Sequence, residues 1–576
     1  MCQARPVFGS KRLLPIFVSI ASLFCSALLS SSCFRGADPA SLLTDEAAVS
    51  GLDWRHVNGM SGQLYFSEMA GSGAALFDAD NDGDLDVFLV QGGPLGAENV
   101  GGPSDRLYRN DMAQGRAVFT DITEASGLDS RGYGMGVAAG DVDNDGRTDL
   151  YVTNFGENQL WLNTTEGFTE VTTASGPSDP RWSTSAAFLD FDRDGWLDLY
   201  VVTYVDFRLT NHKICDNDRG APDYCGPRSY RPEPDRLFRN LGLEDEVAFE
   251  DVTVPAGIGA PGPGLGVVTA DFNDDGWVDI YVANDEAHNH LWMNRGDGTF
   301  RDEALMRGAA VDAQGRPQAS MGVDAADVDG DGDTDLFMTH LLAETNTLYL
   351  NDGQGIFTER TVASGLAAPS LSSTGFGTVF LDLDNDSRLD LLAVNGEVRI
   401  IPEQQAAGEA LPLKQPNQLF RNEMVDGALR FADWSARAPV LALPNVSRGA
   451  AVGDVDNDGD VDVVVLNNNG PVQLLINRIG SENAWLGLRL VGEGGRDMLG
   501  TRVALLRDDA PPLWRQARTD ASYLSANDPR VLFGLGDDSR QSYSAEVLWP
   551  SGRRERFQGL EPGRYQDLVE GEGEPL

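Results

Sequence analysis

Short runs of alternating or continuous apolar residues, bounded by Gly, Asp and Asn, recur along almost the whole chain. Examples are Asp86-Val-Phe-Leu-Val90 and Asp462-Val-Val-Val-Leu466. Their length and β-branched content predict strands rather than helices. Before each run lies a Gly/Ala-rich apolar stretch such as Gly134-Met-Gly-Val-Ala-Ala-Gly140. After it comes a Leu-x-x-Asn segment: Leu107-Tyr-Arg-Asn110, Leu237-Phe-Arg-Asn240, Leu291-Trp-Met-Asn294, Leu348-Tyr-Leu-Asn351. An aromatic-led segment follows, as in Phe119-Thr-Asp-Ile-Thr123, Phe168-Thr-Glu-Val-Thr172, Phe249-Glu-Asp-Val-Thr253 and Phe357-Thr-Glu-Arg-Thr361. Four short strands per repeating unit is the pattern of a propeller blade.

Between the first two strands of each unit sits an acidic loop, present in seven copies. The first is Asp78-Ala-Asp80-Asn-Asp82-Gly83-Asp84-Leu-Asp86 and the second Asp141-Val-Asp143-Asn-Asp145-Gly146-Arg147-Thr-Asp149. The third is Asp190-Phe-Asp192-Arg-Asp194-Gly195-Trp196-Leu-Asp198, and the fourth Asp271-Phe-Asn273-Asp-Asp275-Gly276-Trp277-Val-Asp279. The fifth is Asp327-Val-Asp329-Gly-Asp331-Gly332-Asp333-Thr-Asp335, and the sixth Asp382-Leu-Asp384-Asn-Asp386-Ser387-Arg388-Leu-Asp390. The seventh is Asp454-Val-Asp456-Asn-Asp458-Gly459-Asp460-Val-Asp462. Oxygens at positions 1, 3 and 5 converge when the backbone coils tightly, and Gly at position 6 permits the sharp turn. Position 7 offers its carbonyl, which leaves its side chain free to vary, and the Asp at position 9 closes the shell. Such a set of hard oxygens suits Ca²⁺, up to seven ions, better than a transition metal. The Glu that an EF-hand carries at position 12 is absent, Leu89 standing there in the first loop. Ser387 replaces the turn glycine in the sixth loop, which is expected to be the weakest.

First-Asp spacings of 63, 49, 81, 56, 55 and 72 residues average about 63, one blade per loop with insertions of different length. No clear aromatic-led strand follows Leu474-Leu-Ile-Asn477, whereas a comparable segment, Leu43-Thr-Asp-Glu-Ala47, precedes the first loop. The N-terminal strand is therefore expected to complete the last blade and lock the ring. The predicted fold is all-β: a seven-bladed propeller over residues 40–478, then a small β-sandwich-like domain over 483–572.

Charge narrows the function. The 576 residues carry 89 Asp and Glu against 44 Lys and Arg, a net charge of −45. A basic nucleic-acid face is excluded, and attraction to anionic headgroups is disfavoured. The seven loops hold 31 of the 89 acids, so the acidity is in part a set of metal sites. At the N-terminus, Arg5, Lys11 and Arg12 precede an apolar run from Leu13 to Leu29 and the small residues Ser30-Ser31-Ser32. This is the pattern of an export signal over 1–33, with an uncleaved anchor as the alternative. Cys33 resembles a bacterial lipoprotein cysteine, although Ser30 stands where Leu is usual. Extracellular, periplasmic or cell-surface placement follows, with a lipid anchor as an option. In an exported chain Cys215 and Cys225, close together in a Gly/Pro-rich loop, are expected to form a disulfide.

The units resemble FG-GAP/VCBS repeats, as in integrin-type propellers, whose Asp-x-Asp-x-Asp-Gly-x-x-Asp loops bind Ca²⁺. The tail shows Asn483-Ala-Trp-Leu-Gly-Leu-Arg-Leu490, Arg496-Asp-Met-Leu-Gly-Thr-Arg-Val503, Ser522-Tyr-Leu-Ser525, Phe533-Gly-Leu-Gly536, Val547-Leu-Trp-Pro-Ser-Gly552 and Leu568-Val-Glu-Gly571. It resembles the ASPIC/UnbV domain that follows such repeats in the cartilage acidic protein family. The insert around Asp223-Tyr-Cys-Gly-Pro227 resembles bacterial members. Thr501, where Ala is expected, and Ser387 depart from the pattern. No EGF-like cysteine module follows, so matrix roles of the animal members are not carried over.

No Gly-x-Ser-x-Gly, His-Glu-x-x-His or Walker loop is present. Asp285-Glu-Ala-His288-Asn-His290 is the one cluster of imidazole and carboxylate, read here as a solvated loop. Trp549 is read as core. The leading expectation is an exported calcium-binding adhesion module for an unidentified protein or glycan, not an enzyme. The alternative is a polysaccharide-active lyase or hydrolase using His288 or His290.

Overall fold

The computed structural model describes residues 41–96, 102–217, 219–243, 246–425, 427–508, 510–538 and 540–576. The export signal and Cys33 lie outside the described residues. Six sheets each take four antiparallel strands in chain order, short strands of the insert coming between the second and third strands of blade three. In the first blade these are Ala74–Phe77, Asp86–Leu89, Arg106–Asn110 and Phe119–Asp121. The first strand of each blade packs against that of the next, and the strand Ser447–Gly453 of the seventh returns to Ala74–Phe77, so the ring is closed. Leu43–Asp45 pairs antiparallel with Gln473–Asn477 and supplies the seventh blade's outer strand, as the displaced N-terminal segment implied.

Composition explains the layering. Inner strands are narrow-sided and wholly buried, as in Gly134–Gly140 and Gly264–Ala270, because the strands crowd near the axis. The middle strands carry Val, Ile, Leu and Tyr between blades, for example Ile280 and Val282 against Ala187 and Val202. Outer strands are three or four residues long in blades one to five and keep their leading Phe buried: Phe119, Phe168, Phe249, Phe300 and Phe357.

The C-terminal region is a two-sheet sandwich. One sheet orders Val531–Gly536, Ala484–Val491 and Tyr565–Val569; the other orders Leu513–Gln516, Arg502–Leu505, Tyr543–Leu548, Arg554–Leu560 and Glu574–Pro575. Leu486, Leu488, Val503, Phe533 and Val547 fill its core. Trp549 is buried there, its indole N–H donating to Glu555.

This sandwich is joined to the propeller through its axis. The segment Arg518 to Arg530 threads the central channel and touches all seven inner strands. Leu76 and Val137 donate backbone N–H bonds to the carbonyls of Ala526 and Leu524, and Val323 donates to Ser522. Thr269 donates to Asp520, Ser185 accepts from the Leu524 amide, Phe376 stacks edge-on against Tyr523, and Val452 receives a bond from Asp528. At Gly73 a Cβ would meet the Leu524 carbonyl oxygen at 1.7 Å, so only glycine admits this approach. Ala521, Ser522 and Leu524 adopt positive φ of 101°, 64° and 59° to make the bend.

Two inserts cover the opposite end of the channel. One follows the second strand of blade three and carries the Cys215–Cys225 disulfide. Asp223 in it accepts the Ile400 amide from the blade-six insert, and the Tyr224 hydroxyl contacts Glu68 of the blade-one entry.

Candidate metal centres

Each acidic loop leaves the inner strand and enters the second, and its carboxylates are held by backbone N–H groups. The position-1 carboxylate accepts from the amides of positions 5 and 6, as Asp78 does from Asp82 at 3.1 Å and Gly83 at 2.9 Å. Asp141, Asp190, Asp271, Asp382 and Asp454 do the same, while Asp327 takes Gly330 and Gly332. The position-5 carboxylate accepts from position 7, binding Asp84, Arg147, Trp196, Trp277, Asp333, Arg388 and Asp460 through their amides.

Position 9 is the buried wall of the site. Asp86, Asp149, Asp198, Asp279, Asp335, Asp390 and Asp462 are all at most 2% exposed. One oxygen of each accepts the position-2 amide. The other accepts the amide of an Asn in the third strand: Asn110, Asn163, Asn240, Asn294, Asn351, Asn422 and Asn477.

Two left-handed residues make the coil, at positions 4 and 6. Asn81, Asn144, Arg193, Asp274, Asn385 and Asn457 hold φ between 51° and 60°. Ser387 adopts φ 79° where the other loops have glycine, and its hydroxyl donates to the Gly534 carbonyl of the sandwich.

Carboxylates so crowded repel one another and lose solvation. Burial first, and then neighbouring carboxylates, pushes Asp86 and Asp460 up to about 8. Asp141, Asp382 and Asp454 rise to about 7. Ligand atoms of Asp78, Asp80 and Asp86 lie within 4.8 Å of one another, as do those of Asp141, Asp143 and Asp149, and of Asp327, Asp329 and Asp335. Asp190, Asp192 and Asp194, and Asp382, Asp384 and Asp386, form further sets. The position-3 oxygen tests the fit. Oδ1 of Asp192, Asn273, Asp329, Asp384 and Asp456 is buried and has no hydrogen-bond partner. A buried oxygen without a donor is costly, the more so for the four carboxylates, and a hard cation is the partner that a set of carboxylate and amide oxygens fits.

Arginines compete for this role in some loops. Arg239 pairs with Asp192 and Asp194, and Arg421 with Asp384 and Asp386. Arg147 and Arg388 fold back onto the position-5 carboxylates Asp145 and Asp386. The sixth loop thus has two guanidinium groups on Asp386 as well as a serine at its turn.

The loops are linked to one another and to the sandwich. Asn81 donates to the Gly146 carbonyl, Asn144 to Gly195, Asn385 to Gly459, and Asn457 back to Gly83. Loops three, four and five lack an Asn at position 4, where Arg193, Asp274 and Gly330 stand. Between loops four and five, Arg502 of the sandwich bonds Asp274 and the Gly332 carbonyl. Arg496 reaches Asn144 and Gly195, Arg530 reaches Asn457 and Asp454, and Tyr565 donates to Asp454 at 3.0 Å.

The histidine cluster does not assemble. His288 is exposed, whereas His290 is buried beside Trp292 with Nδ1 unpartnered and its pKa lowered by burial. Asp285 turns instead to Tyr204.

Loops of this form on a closed seven-bladed ring, with a sandwich plugging it, coincide with FG-GAP-like repeats and a C-terminal ASPIC/UnbV domain. Residues 78–152, 141–201 and 271–338 match the FG-GAP-like repeat, and residues 492–575 match ASPIC and UnbV. The chain is homologous to cartilage acidic protein 1 of Homo sapiens, 25% identical over 494 residues, 84% of this chain and 69% of that protein. The Mus musculus protein is 25% identical over 494 residues (84% and 70%), and the Xenopus tropicalis protein 24% over 491 (84% and 70%). Among solved structures, an Agrocybe aegerita lectin recognising non-reducing terminal N-acetylglucosamine is 16% identical, with a TM-score of 0.36 over 71% of this chain and 96% of that one. That superposition is loose, and the sugar is a property of that lectin. The repeats and the ASPIC/UnbV domain together suggest an extracellular binding or adhesion-type module. Among the described residues no helix is long and apolar enough to cross a membrane.

Proposed function

We propose that this protein is an exported, calcium-stabilised binding module, its propeller presenting a rigid surface to a protein or glycan partner. The observation that carries the calcium reading is the row of buried, unpartnered position-3 oxygens facing carboxylates in five of the loops. Positions 1, 3, 5 and 9, with the position-7 carbonyl, would hold the ion. Bound Ca²⁺ supplies the positive charge that these carboxylates otherwise take from protons and arginines. The sandwich covers the loop face, so the partner meets the insert-bearing face or the rim. The disulfide fits an oxidising compartment outside the cytoplasm.

The test has two arms. Equilibrium dialysis of the chelator-stripped protein should show cooperative or multiple Ca²⁺ binding, strongest outside the sixth loop. A glycan array and a cross-linking pull-down in Ca²⁺ should retain a ligand. Failure of every probe to bind in Ca²⁺ would overturn the adhesion reading, and absence of Ca²⁺ uptake would overturn the ion reading independently.

A further inference from the structure

We propose that the insert-covered end of the channel holds a binding pocket for a small organic ammonium ion. The cavity there encloses about 40 Å³, more than the roughly 10–15 Å³ that a single water needs. Its walls come from separate elements. Phe66 belongs to the blade-one entry, Tyr204 to blade three, Tyr224 to the disulfide insert, Phe376 to blade six and Tyr523 to the tip of the channel plug. The pocket is therefore complete only when the C-terminal region is threaded through the ring.

Among these rings lies one enclosed acid. Asp285 is 8% exposed and lines the cavity. One of its oxygens accepts the Tyr204 hydroxyl proton, and the other, Oδ1, is buried with no partner. The charged groups around it do not neutralise it. Arg228 is spent on Glu286 at 2.7 Å. Arg448 lies over the Phe376 ring at 3.8 Å and gives its N–H groups to the carbonyls of Met69, Gly396, Glu397 and Ser447. Arg399 stands exposed at the rim, and Glu344 adds negative charge. Burial holds the Asp285 carboxyl up to about 7, the response of an acid without a counter-ion.

An aromatic box whose one buried carboxylate has no ion-pair partner among the described residues complements an ammonium group. Ring faces attract the diffuse positive charge, and the carboxylate takes the remainder. A neutral polyol would require several free polar groups in the walls, and Asp285 Oδ1 is the buried carboxylate oxygen there without a partner. The same chemistry is offered by a free alkylamine and by a lysine side chain of a partner. The inference is independent of the adhesion reading.

The test is calorimetric titration of the full exported chain in saturating Ca²⁺ at fixed ionic strength. Probes are tetramethylammonium, butylammonium and Nα-acetyl-lysine amide, with neopentyl alcohol and butanol as neutral isosteres. Saturable binding of one cation per chain, with the isosteres about tenfold weaker or worse, is the expected result. Tighter binding of butylammonium names a free amine, and tighter binding of acetyl-lysine amide names a side chain. Asp285→Asn should reduce the affinity at least about tenfold, and Tyr523→Leu, which removes a wall without touching the acid, should also reduce it. Equal binding of cations and isosteres, no saturation by any cation, or undiminished affinity in folded Asp285→Asn would each overturn the proposal. The isostere comparison uses the unaltered chain, so it decides even where a variant fails to fold.

Discussion

The asparagine carried by each third strand joins neighbouring blades. Its amide N–H caps the position-9 carboxylate of its own loop, and its side chain donates to the position-2 carbonyl of the preceding loop. Asn240 reaches Val142, Asn351 reaches Phe272, and Asn110 closes the circle on Val455. All of these asparagines are at most 6% exposed. The Leu-x-x-Asn repeat is plain in the sequence, but its partner is not, because a repeat shows that blades resemble one another and not which atoms meet between them. Asn240→Ala leaves the Val142 and Leu197 carbonyls without this donor. It should cost about 1–3 kcal/mol, read as a lower urea midpoint at unchanged slope. Asn81→Gly removes a bond made at the exposed surface while keeping the φ of 60°, and should cost under about 0.5 kcal/mol. Equal costs for the two would show that the blade clamp carries no special weight.

At the scale of the element, the loop is a coil whose charge must be balanced by something. Without metal, the raised pKa values of Asp86, Asp141, Asp382, Asp454 and Asp460 mean that the folded state holds protons the unfolded chain would release. Stability from these groups is full below the unfolded value near 3.8 and is lost as pH rises through about 7 and 8. In EDTA the melting temperature should therefore rise as pH falls from 8 to 6. In excess Ca²⁺ the ion replaces the protons, and the same acidification should lower the melting temperature. A melting temperature indifferent to EDTA at pH 8 would sink the calcium reading. The loops were legible because the chemistry demands oxygens at fixed spacing. The arginines upon them were less so, since Arg239 and Arg421 arrive from the third strand, far along the chain. The insert is the other element with a clear test. Its disulfide closes a loop of 10 residues, and replacing both Cys215 and Cys225 by Ser should forfeit about 2–3 kcal/mol of local constraint. The expected readout is faster proteolysis between residues 205 and 234 with little change in the global melt.

At the scale of the whole molecule, propeller and sandwich form one body. Blade number, ring closure by Leu43–Asp45 and the two-sheet tail all follow from strand patterns and spacing. The axial plug does not. Ser522-Tyr-Leu-Ser525 stands out as a tail motif, yet its non-glycine residues at positive φ leave no signal, and its partners lie up to about 450 residues away. Leu524 is 1% exposed in the channel, so Leu524→Ala should cost about 2–5 kcal/mol. Calorimetry should show one transition for both regions, and a chain ending at residue 478 should melt lower. Two separate transitions in the intact chain would contradict a shared body. The closure has a consequence for how the chain is made. A ribosome delivers Leu43–Asp45 first, but its pairing partner, Gln473–Asn477, comes more than 400 residues later, and the plug later still. Throughout that interval the ring is open and each newly made blade has an uncovered side, the condition in which unpaired strands associate wrongly. Assembly thus waits on the last fifth of the polypeptide, so a stalled or truncated product would leave a ring that cannot shut and a ready target for quality-control proteases.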